Sequence, residues 1–330
     1  MNLATSYMGF ELANPLVPGA SPLVDNLDTV RRLEDAGAPM IVMHSLFEEQ
    51  LSREELNITH AIEMPKESYA EALSYLPEPD EFMLGPDEYL EHIRKLKAAV
   101  AVPVIASLNG TTEGGWLRYA GLIEEAGADG LEMNLYELAI DTAEAGETVE
   151  QRGLRVVQAV KRSVKIPVAV KLSPFYSSIA NYARRLDEAG ADALVLFNRF
   201  YQPDIDVEEQ QLLRVNLSSP EELLLRLRWI GVLSGRVEAS LAATGGVHGA
   251  LEVVKAVMAG AHITQMVSAL LRRGPDYLCQ VREYLERWLE EHEYESLRQM
   301  QGSMSLLRCP DPGPYHRANY IRLLQSWDLA

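Results

Sequence analysis

The segment Glu125-Ala126-Gly127-Ala128-Asp129, followed by Leu131-Glu132-Met133-Asn134, decides the fold class. Its glycine suits the left-handed position that ends a helix, and the apolar run behind it is typical of a buried parallel strand. The same order of helix end, glycine corner and apolar run recurs at Ala36-Gly37-Ala38 before Ile41–His44, at Ala189-Gly190-Ala191 before Leu194–Asn198, and at Ala259-Gly260-Ala261 before Ile263–Met266. Such repetition indicates one helix-to-strand unit that is used several times.

The spacing of these corners indicates how the units are arranged. Successive corner glycines lie 90, 63 and 70 residues apart. A barrel of eight β/α units in about 250 residues needs about 31 residues per unit, so two units span about 62. The corners therefore precede alternate strands, which are the second, fourth, sixth and eighth of the predicted order.

A second repeat supplies strands between them. Val102–Ser107 and Ile166–Lys171 each carry a proline at their second position, and the two prolines are 64 residues apart. Pro15–Gly19 and Val237–Ala242 are further apolar runs of suitable length and position. Eight strands in order, separated by amphipathic segments, predict an α/β protein with a (β/α)8 barrel, the TIM-barrel architecture.

The barrel is expected to occupy residues 1–292, with a C-terminal extension at 293–330. The long interval between the first two corners predicts an insertion after the second strand at about 47–84, and another long loop follows the sixth strand at 198–217. Both leave the carboxyl ends of strands, where barrels of this type carry their active sites, so both are candidates for a lid or for substrate selection. We expect the extension to pack on its own barrel or on a partner subunit of a homodimer.

Charge and composition limit the partners. The net charge of −18 argues against nucleic acid and against anionic membranes, and leaves a small molecule as the expected ligand. Cys279 and Cys309 are the two cysteines; we expect free thiols and no four-cysteine iron–sulfur cluster. We also expect no signal peptide and no membrane span, because residues 1–11 lack a leader pattern and no apolar run reaches about 18 residues. These features predict a cytoplasmic protein.

Small, hydroxyl and amide residues follow the predicted strands, together with one lysine. They are Ala20, Ser21, Ser45, Asn109, Asn134, Lys171 and Asn198. This set suits a flat heterocycle that makes hydrogen bonds, and it lacks the grouped carboxylates, histidines or thiolates of a metal site, so we expect no metal. A charge that closes an apolar strand needs a partner, which favours a functional role for Lys171. The asparagines remain open to a role as loop caps.

Two loops at the end of the barrel predict a phosphate site. Gly245 and Gly246 follow the seventh strand, and Val267 and Ser268 follow the eighth. Backbone N–H groups at these two positions are the usual phosphate cradle of the fold. A glycine pair alone is also compatible with a tight turn.

Several of these stretches resemble motifs of the dihydroorotate dehydrogenase family. They are Asn14–Ser21, Glu132–Leu135, Lys171–Pro174, Asn198, Thr244–Gly246 and Val267–Pro275. The resemblance implies FMN as the cofactor, with Ala-Ser at 20–21, Asn134 and Asn198 among its contacts and with the phosphate at 245–246 and 267–268. It also implies that Lys171 places a positive charge beside the flavin N1 and O2 atoms.

The residues on the substrate side depart from the family pattern. Glu137 stands where the family has a cysteine or serine base, and Ala139 where it has a substrate-binding asparagine. His44 replaces a lysine, although Ser45 is kept, and Arg199 follows the strand-6 asparagine where the family has threonine or serine. Glu137 is therefore a candidate base, and Arg199 a candidate bidentate clamp for a carboxylate.

The expected function is that of an FMN-dependent oxidoreductase acting on a CH–CH bond. Lys171, Glu137 and Arg199 are its candidate catalytic residues, and His60 in the insertion is an alternative base. The substrate is expected to be a small anionic metabolite, either dihydroorotate, which is converted to orotate in pyrimidine biosynthesis, or a related carboxylic acid. The electron acceptor or redox partner is expected to be soluble.

Other functions stay open at this point. A catalytically silent flavin protein with a regulatory or assembly role would retain the cofactor side alone, as observed. A phosphate-binding barrel enzyme without flavin would also use the two glycine-containing loops. A dihydrouridine synthase relative is disfavoured, because it would need a cysteine acid and a basic face for tRNA.

Overall fold

The computed structural model describes residues 1–48, 86–110, 112–137, 139–199, 203–214, 217–317 and 319–326. The strands in chain order are β1 Thr5–Tyr7, β2 Phe10–Leu12, β3 Leu16–Pro18, β4 Ile41–Phe47, β5 Val104–Asn109, β6 Gly130–Asn134, β7 Val168–Leu172, β8 Ala193–Leu196, β9 Pro203–Asp206, β10 Gln211–Arg214, β11 Ser240–Thr244 and β12 Ile263–Met266. The helices are α1 Leu27–Asp35, α2 Pro86–Ala99, α3 Glu113–Glu125, α4 Gly146–Ser163, α5 Ile179–Glu188, α6 Leu223–Leu233, α7 Ala250–Ala259, α8 Ser268–Arg273, α9 Tyr277–Glu291, α10 Leu297–Met300 and α11 Asn319–Gln325.

Eight of the strands form one parallel sheet in the order β3-β12-β11-β8-β7-β6-β5-β4. The end strands β3 and β4 also contact each other, so the sheet curls into a nearly closed barrel with helices outside it. This confirms the predicted (β/α)8 architecture. Of the predicted insertion at about 47–84, only Phe47 and Glu48 fall within the described residues. In the loop after β8, β9 and β10 form a small antiparallel hairpin.

The barrel interior changes from apolar to polar along its axis. Near the amino ends of the strands, Tyr7 and Met8 from the β1–β2 hairpin pack with inward residues such as Ile105 and Val195 in one buried cluster. Because side chains alternate along a strand, the next inward positions of β5 and β7 are Ser107 and Lys171, and both are buried. The polar layer therefore faces the carboxyl ends of the strands.

Acidic residues near the helix ends explain part of the sequence repeat. Glu34, Glu124 and Asp187 each accept hydrogen bonds from two consecutive backbone N–H groups, at distances of 2.7–3.3 Å. The donors belong to residues 101–102, 165–166 and 238–239 respectively, which lead into β5, β7 and β11. Each such side chain ties the end of one helix to the entrance of a strand two units further along the barrel.

The aspartate after two of the glycine corners makes a second repeated contact. Asp129 Oδ2 accepts from Val104 N at 2.7 Å and lies 2.6 Å from Lys97 Nζ. Asp192 Oδ2 accepts from Val168 N at 2.7 Å and lies 2.5 Å from Lys161 Nζ. These aspartates satisfy the N–H group that opens the preceding strand, a group that would otherwise lack a partner.

The extension after residue 293 packs on its own barrel over the described residues. Gly302 N donates to Val257 O at 2.9 Å, Met304 N to Met258 O at 2.8 Å and Leu306 N to Gly231 O at 2.9 Å. Cys279 and Cys309 are free thiols. Within the part of the chain that the structure describes, no helix combines the length and apolar character needed to cross a membrane.

The contact between Asp192 and the Val168 N–H group can be tested by its effect on stability. Asp192→Ala should lower the free energy of unfolding by about 1–2 kcal/mol, because it leaves the Val168 N–H without its acceptor. Asp28→Ala is the matched control, since that side chain is 85% exposed and pairs only with Arg31 on its own helix; its effect should stay within about 0.5 kcal/mol. Urea titration followed by circular dichroism measures both, and equal effects would contradict the role assigned to the corner.

Candidate active site

A cavity of about 510 Å³ opens at the carboxyl ends of the barrel strands. This volume is within the range of sites for small molecules and cofactors. Of the predicted site residues that the structure describes, all except Glu137 line it, namely Ala20, Ser21, Ser45, Asn109, Asn134, Lys171, Asn198, Arg199, Gly245, Gly246, Val267 and Ser268. The cavity therefore joins residues in or just after the carboxyl-terminal parts of all eight barrel strands.

Lys171 lies at the floor of the cavity in a buried ion pair. Its Nζ is 2.9 Å from Glu132 Oε1 on the neighbouring strand β6. Gln265 Nε2 on β12 donates to the other oxygen, Glu132 Oε2, at 2.6 Å. Glu132 is 1% exposed, so its charge is compensated by the lysine and by the amide. Burial, and after it the Glu132 charge, raises the pKa of Tyr7 well above its usual value.

Asn134 is held by two hydroxyl groups next to this pair. Its Nδ2 donates to Ser45 Oγ at 2.6 Å and to Ser107 Oγ at 3.0 Å, and the two hydroxyl oxygens are 2.8 Å apart. The amide oxygen Oδ1 then has no partner among the described residues, although it is buried. The amide is thus oriented before any ligand arrives.

Besides Asp25 Oδ1 and His44 Nδ1, which face each other, three buried polar atoms around the cavity lack a hydrogen-bond partner within the described ranges. They are Ser21 Oγ, Asn134 Oδ1 and Gln265 Oε1, and all three residues line the cavity. A buried polar atom without a hydrogen bond costs about 1–3 kcal/mol. Their convergence on one space fits a ligand with several hydrogen-bonding groups, as a flavin ring has.

The loop after β11 has a geometry that requires glycine. Gly245 and Gly246 have φ angles of +86° and +82°, and a Cβ at Gly246 would lie 2.4 Å from Leu223 N. Close by, Ser218 N and Ser218 Oγ both donate to Ser268 Oγ at 2.9 Å. Ser268 begins α8, whose first N–H groups have no intrahelical partner. Gly246 N donates to Ser218 Oγ at 3.4 Å, so Ser218 links the glycine loop to the start of α8 at one end of the cavity.

A β-bulge turns two consecutive residues of β4 to the cavity. The register against β5 shifts between Val42 and Ser45, and His44 and Ser45 both line the cavity. Without a bulge, neighbouring residues of a strand would point to opposite faces. His44 Nδ1 lies 2.5 Å from Asp25 Oδ1.

The two remaining candidate catalytic residues are placed differently. Arg199 lies at the cavity wall, with its Nε 3.7 Å from Glu222 Oε1. Glu137 does not line the cavity, and its carboxylate pairs with Arg152, which also pairs with Glu144. The base that the sequence position suggested is thus engaged in an ion pair outside the site. His60 lies outside the described residues.

Sequence reasoning missed several residues of the site. Glu132 and Gln265 stand within strands rather than at their ends, Asp25 lies in a turn, and Ser218 lies in a long loop. A glutamate inside an otherwise apolar strand is the signal that could have identified Glu132 as the partner of the lysine. No cluster of three or more histidine, cysteine, aspartate or glutamate side chains suited to a metal occurs in the described part of the chain.

The fold and the cavity define the class of the protein, a (β/α)8-barrel enzyme with its active site at the carboxyl ends of the strands. A family model described as dihydroorotate dehydrogenase matches residues 83–289. The catalytic subunit of dihydroorotate dehydrogenase B (NAD(+)) from Thermoplasma volcanium is 25% identical over 310 residues, which cover 91% of this chain and 98% of the relative. A putative dihydroorotate dehydrogenase A (fumarate) from Aeropyrum pernix is 30% identical over 215 residues, which cover 61% of this chain and 67% of the relative.

The chain belongs to the dihydroorotate dehydrogenase family, and it is a flavin-dependent oxidoreductase. This confirms the family that the motifs indicated. It does not favour a catalytically silent flavin protein or a barrel enzyme without flavin.

The buried ion pair yields a test of Lys171. Lys171→Met should weaken flavin retention or slow flavin reduction by about 10-fold or more, because a cation next to a developing negative charge is lost. Lys165→Met, an exposed lysine before β7, should behave as wild type. Fluorescence titration of released flavin and anaerobic stopped-flow absorbance measure the two effects.

A second variant separates function from folding in that test. Lys171→Met alone leaves Glu132 buried without its cation, a loss of about 3–5 kcal/mol. Lys171→Met combined with Glu132→Gln removes both charges and should restore much of the stability but not the flavin properties. Normal flavin binding and reduction in this double variant would show that Lys171 is structural.

Proposed function

We propose that the protein is an FMN-dependent oxidoreductase that acts on the CH–CH bond of a small carboxylic acid. The observation that carries this proposal is the convergence of three buried polar atoms without partners on the cavity floored by Lys171. The relatives are named as dihydroorotate dehydrogenases. Dihydroorotate, which is oxidised in pyrimidine biosynthesis, is therefore the first substrate with which other acids are to be compared.

FMN is favoured over larger flavins by the phosphate end of the cavity. Gly245, Gly246 and the start of α8 after Val267 offer backbone N–H groups for one phosphate. Ser218 and Ser268 hold the two loops together. Ala20, Ser21, Asn109 and Asn198 would border the ring. The bound flavin would supply the acceptor for the two electrons that the acid loses.

The protein side chains would orient the ring and the acid. Lys171 would hold a fixed positive charge that needs no rearrangement during the reaction. Asn134, fixed by Ser45 and Ser107, would present its Oδ1 acceptor. Arg199 would bind the carboxylate of the substrate. Glu137 forms an ion pair with Arg152, which favours a structural role for this glutamate rather than a part in the reaction.

We further propose a soluble electron acceptor, a homodimer and a cytoplasmic location. The net charge of −18 supports the first and third by disfavouring anionic surfaces. The substrate would then meet two local cations, Lys171 and Arg199, in an otherwise negative protein.

The cofactor is tested directly. The purified protein should be yellow, and mass spectrometry of the cofactor released by heat should give FMN rather than FAD or riboflavin. A colourless protein that takes up no added FMN would refute the proposal, and release of FAD would refute the assignment of the phosphate site.

The substrate is tested by anaerobic reduction of the bound flavin. We expect dihydroorotate to reduce it slowly or not at all and another small carboxylic acid to do better, because the residues on the substrate side differ from the family pattern. Dihydroorotate, succinate and dihydrouracil form an informative first panel, since dihydrouracil is dihydroorotate without its carboxylate.

Two variants assign roles with the best acid of that panel. Arg199→Ala should raise the concentration needed for half-maximal rate by about 10-fold or more, because a bidentate carboxylate contact is lost. Glu137→Gln should change the rate by less than about 3-fold, since its carboxylate is paired outside the cavity. Rapid reduction by dihydroorotate that is insensitive to Arg199→Ala would overturn both the substrate expectation and the clamp.

A further inference from the structure

His44 and Asp25 form a carboxylate–imidazole pair at the wall of the cavity. Nδ1 of His44 and Oδ1 of Asp25 are 2.5 Å apart, and the side chains are 20% and 31% exposed. The contact is an ion pair by distance, and neither atom has a hydrogen-bond partner within the described residues. Since Nδ1 faces the carboxylate, Nε2 is the ring nitrogen that remains to meet a ligand.

The pair is held on both sides by buried groups. Tyr89 Oη lies 3.0 Å from His44 O, and the Tyr89 ring meets the imidazole edge to face at 5.3 Å between centroids. Asp25 N donates to Pro22 O at 3.1 Å, and His92 Nε2 lies 2.7 Å from Val24 O. The backbone on each side of the pair is therefore fixed, and the bulge in β4 keeps His44 turned toward the cavity.

Among the described residues that line the cavity, the other titratable groups are unsuited to accept a proton. Lys171 is engaged with Glu132, Arg199 carries a guanidinium, and Tyr136 carries a phenol. Burial raises the pKa of Tyr89 far above its usual range, with Glu132 and Asp25 adding to the shift, so the phenol next to His44 stays neutral. An imidazole changes charge between about pH 5 and pH 8, which suits a base at neutral pH.

We infer that His44 is the catalytic base of this enzyme and that Asp25 is its positioning residue. The inference rests on the proposed CH–CH chemistry and assigns its proton-transfer step. Asp25 orients the ring through Nδ1 and stabilises the imidazolium that forms, as a carboxylate next to histidine does in other enzymes. His44, which lines the cavity, thus takes the role of base that the sequence motif suggested for Glu137.

The step is balanced in atoms and electrons. Oxidation of a CH–CH bond to a C=C bond removes a proton from one carbon and a hydrogen with both bond electrons from the other. The proton goes to Nε2 of His44, which becomes a cation beside the Asp25 carboxylate. The bound flavin would supply the two-electron acceptor for the hydrogen and its electron pair, and solvent would later take the proton from His44.

The rate test uses the holoenzyme and the acid of the panel that reduces its flavin fastest. Wild-type reduction should rise with pH through the acidic range, because the imidazole must lose its proton before it can act as a base. His44→Gln should be about 100-fold slower or more and should lose this acidic limb. Asp25→Asn should be about 10-fold slower or more, because the carboxylate that orients the ring and stabilises the imidazolium is lost.

Matched controls lie outside the site. His316→Gln removes an exposed histidine, and Asp28→Asn removes an exposed aspartate three positions from Asp25; both should retain the wild-type rate and profile. If His44→Gln also retains them while wild-type flavin is reduced, this inference is wrong and the proposed function stands. If no acid of the panel reduces the wild-type flavin, the proposed function fails instead.

Nuclear magnetic resonance tests the pair without turnover. Selective labelling gives at most seven imidazole signals, and the one lost in His44→Gln belongs to His44. The Nδ1 signal of His44 in the oxidised holoenzyme should change in Asp25→Asn, because the carboxylate that faces this nitrogen is lost, and should not change in Asp28→Asn. An unchanged Nδ1 signal in Asp25→Asn would overturn the pairing whatever the outcome of the rate test.

Discussion

The structure of the site depends on how the barrel accommodates one buried charge. Lys171 ends an apolar strand inside the barrel, and an unpaired ammonium there would be strongly unfavourable. Glu132 on the next strand provides the partner, and Gln265 satisfies the second carboxylate oxygen. Their positions set the level at which the interior turns from apolar to polar. Above this level Asn134 and Ser45 line the cavity, and Ser107 supports them from the same layer as Glu132.

The fold could be predicted from the sequence because its repeated contacts use the same residue types. The glycine of each corner ends a helix, and the acidic residues around it, such as Glu124 and Asp129, bond to fixed backbone donors. Because each unit needs the same residue types at the same places, these residues recur in the sequence at regular spacing. Lys171 and Asn134 could also be predicted as site residues. Side chains alternate along a strand, and the active site of a parallel barrel lies at the carboxyl ends of its strands.

The remaining parts of the site arise from contacts that have no fixed spacing. The bulge in β4 depends on the pairing with β5 and turns His44 inward, which strand alternation alone does not predict. Asp25 meets His44 from a turn, and Ser218 meets Ser268 across 50 residues of sequence. Glu137 illustrates the reverse case, because its position in the motif suggested a base while its actual partner, Arg152, is set by packing on α4.

The two ends of the cavity differ in the groups that carry charge. Each cation at the cavity lies near an acid, Lys171 with Glu132 and Arg199 with Glu222, so the local field depends on geometry rather than on the net charge. The glycine loop and the start of α8 would instead hold an anion through backbone N–H groups, whose polarity does not vary with pH. The imidazole and carboxylate of His44 and Asp25 lie at the other end, on the side where the residues depart from the family pattern.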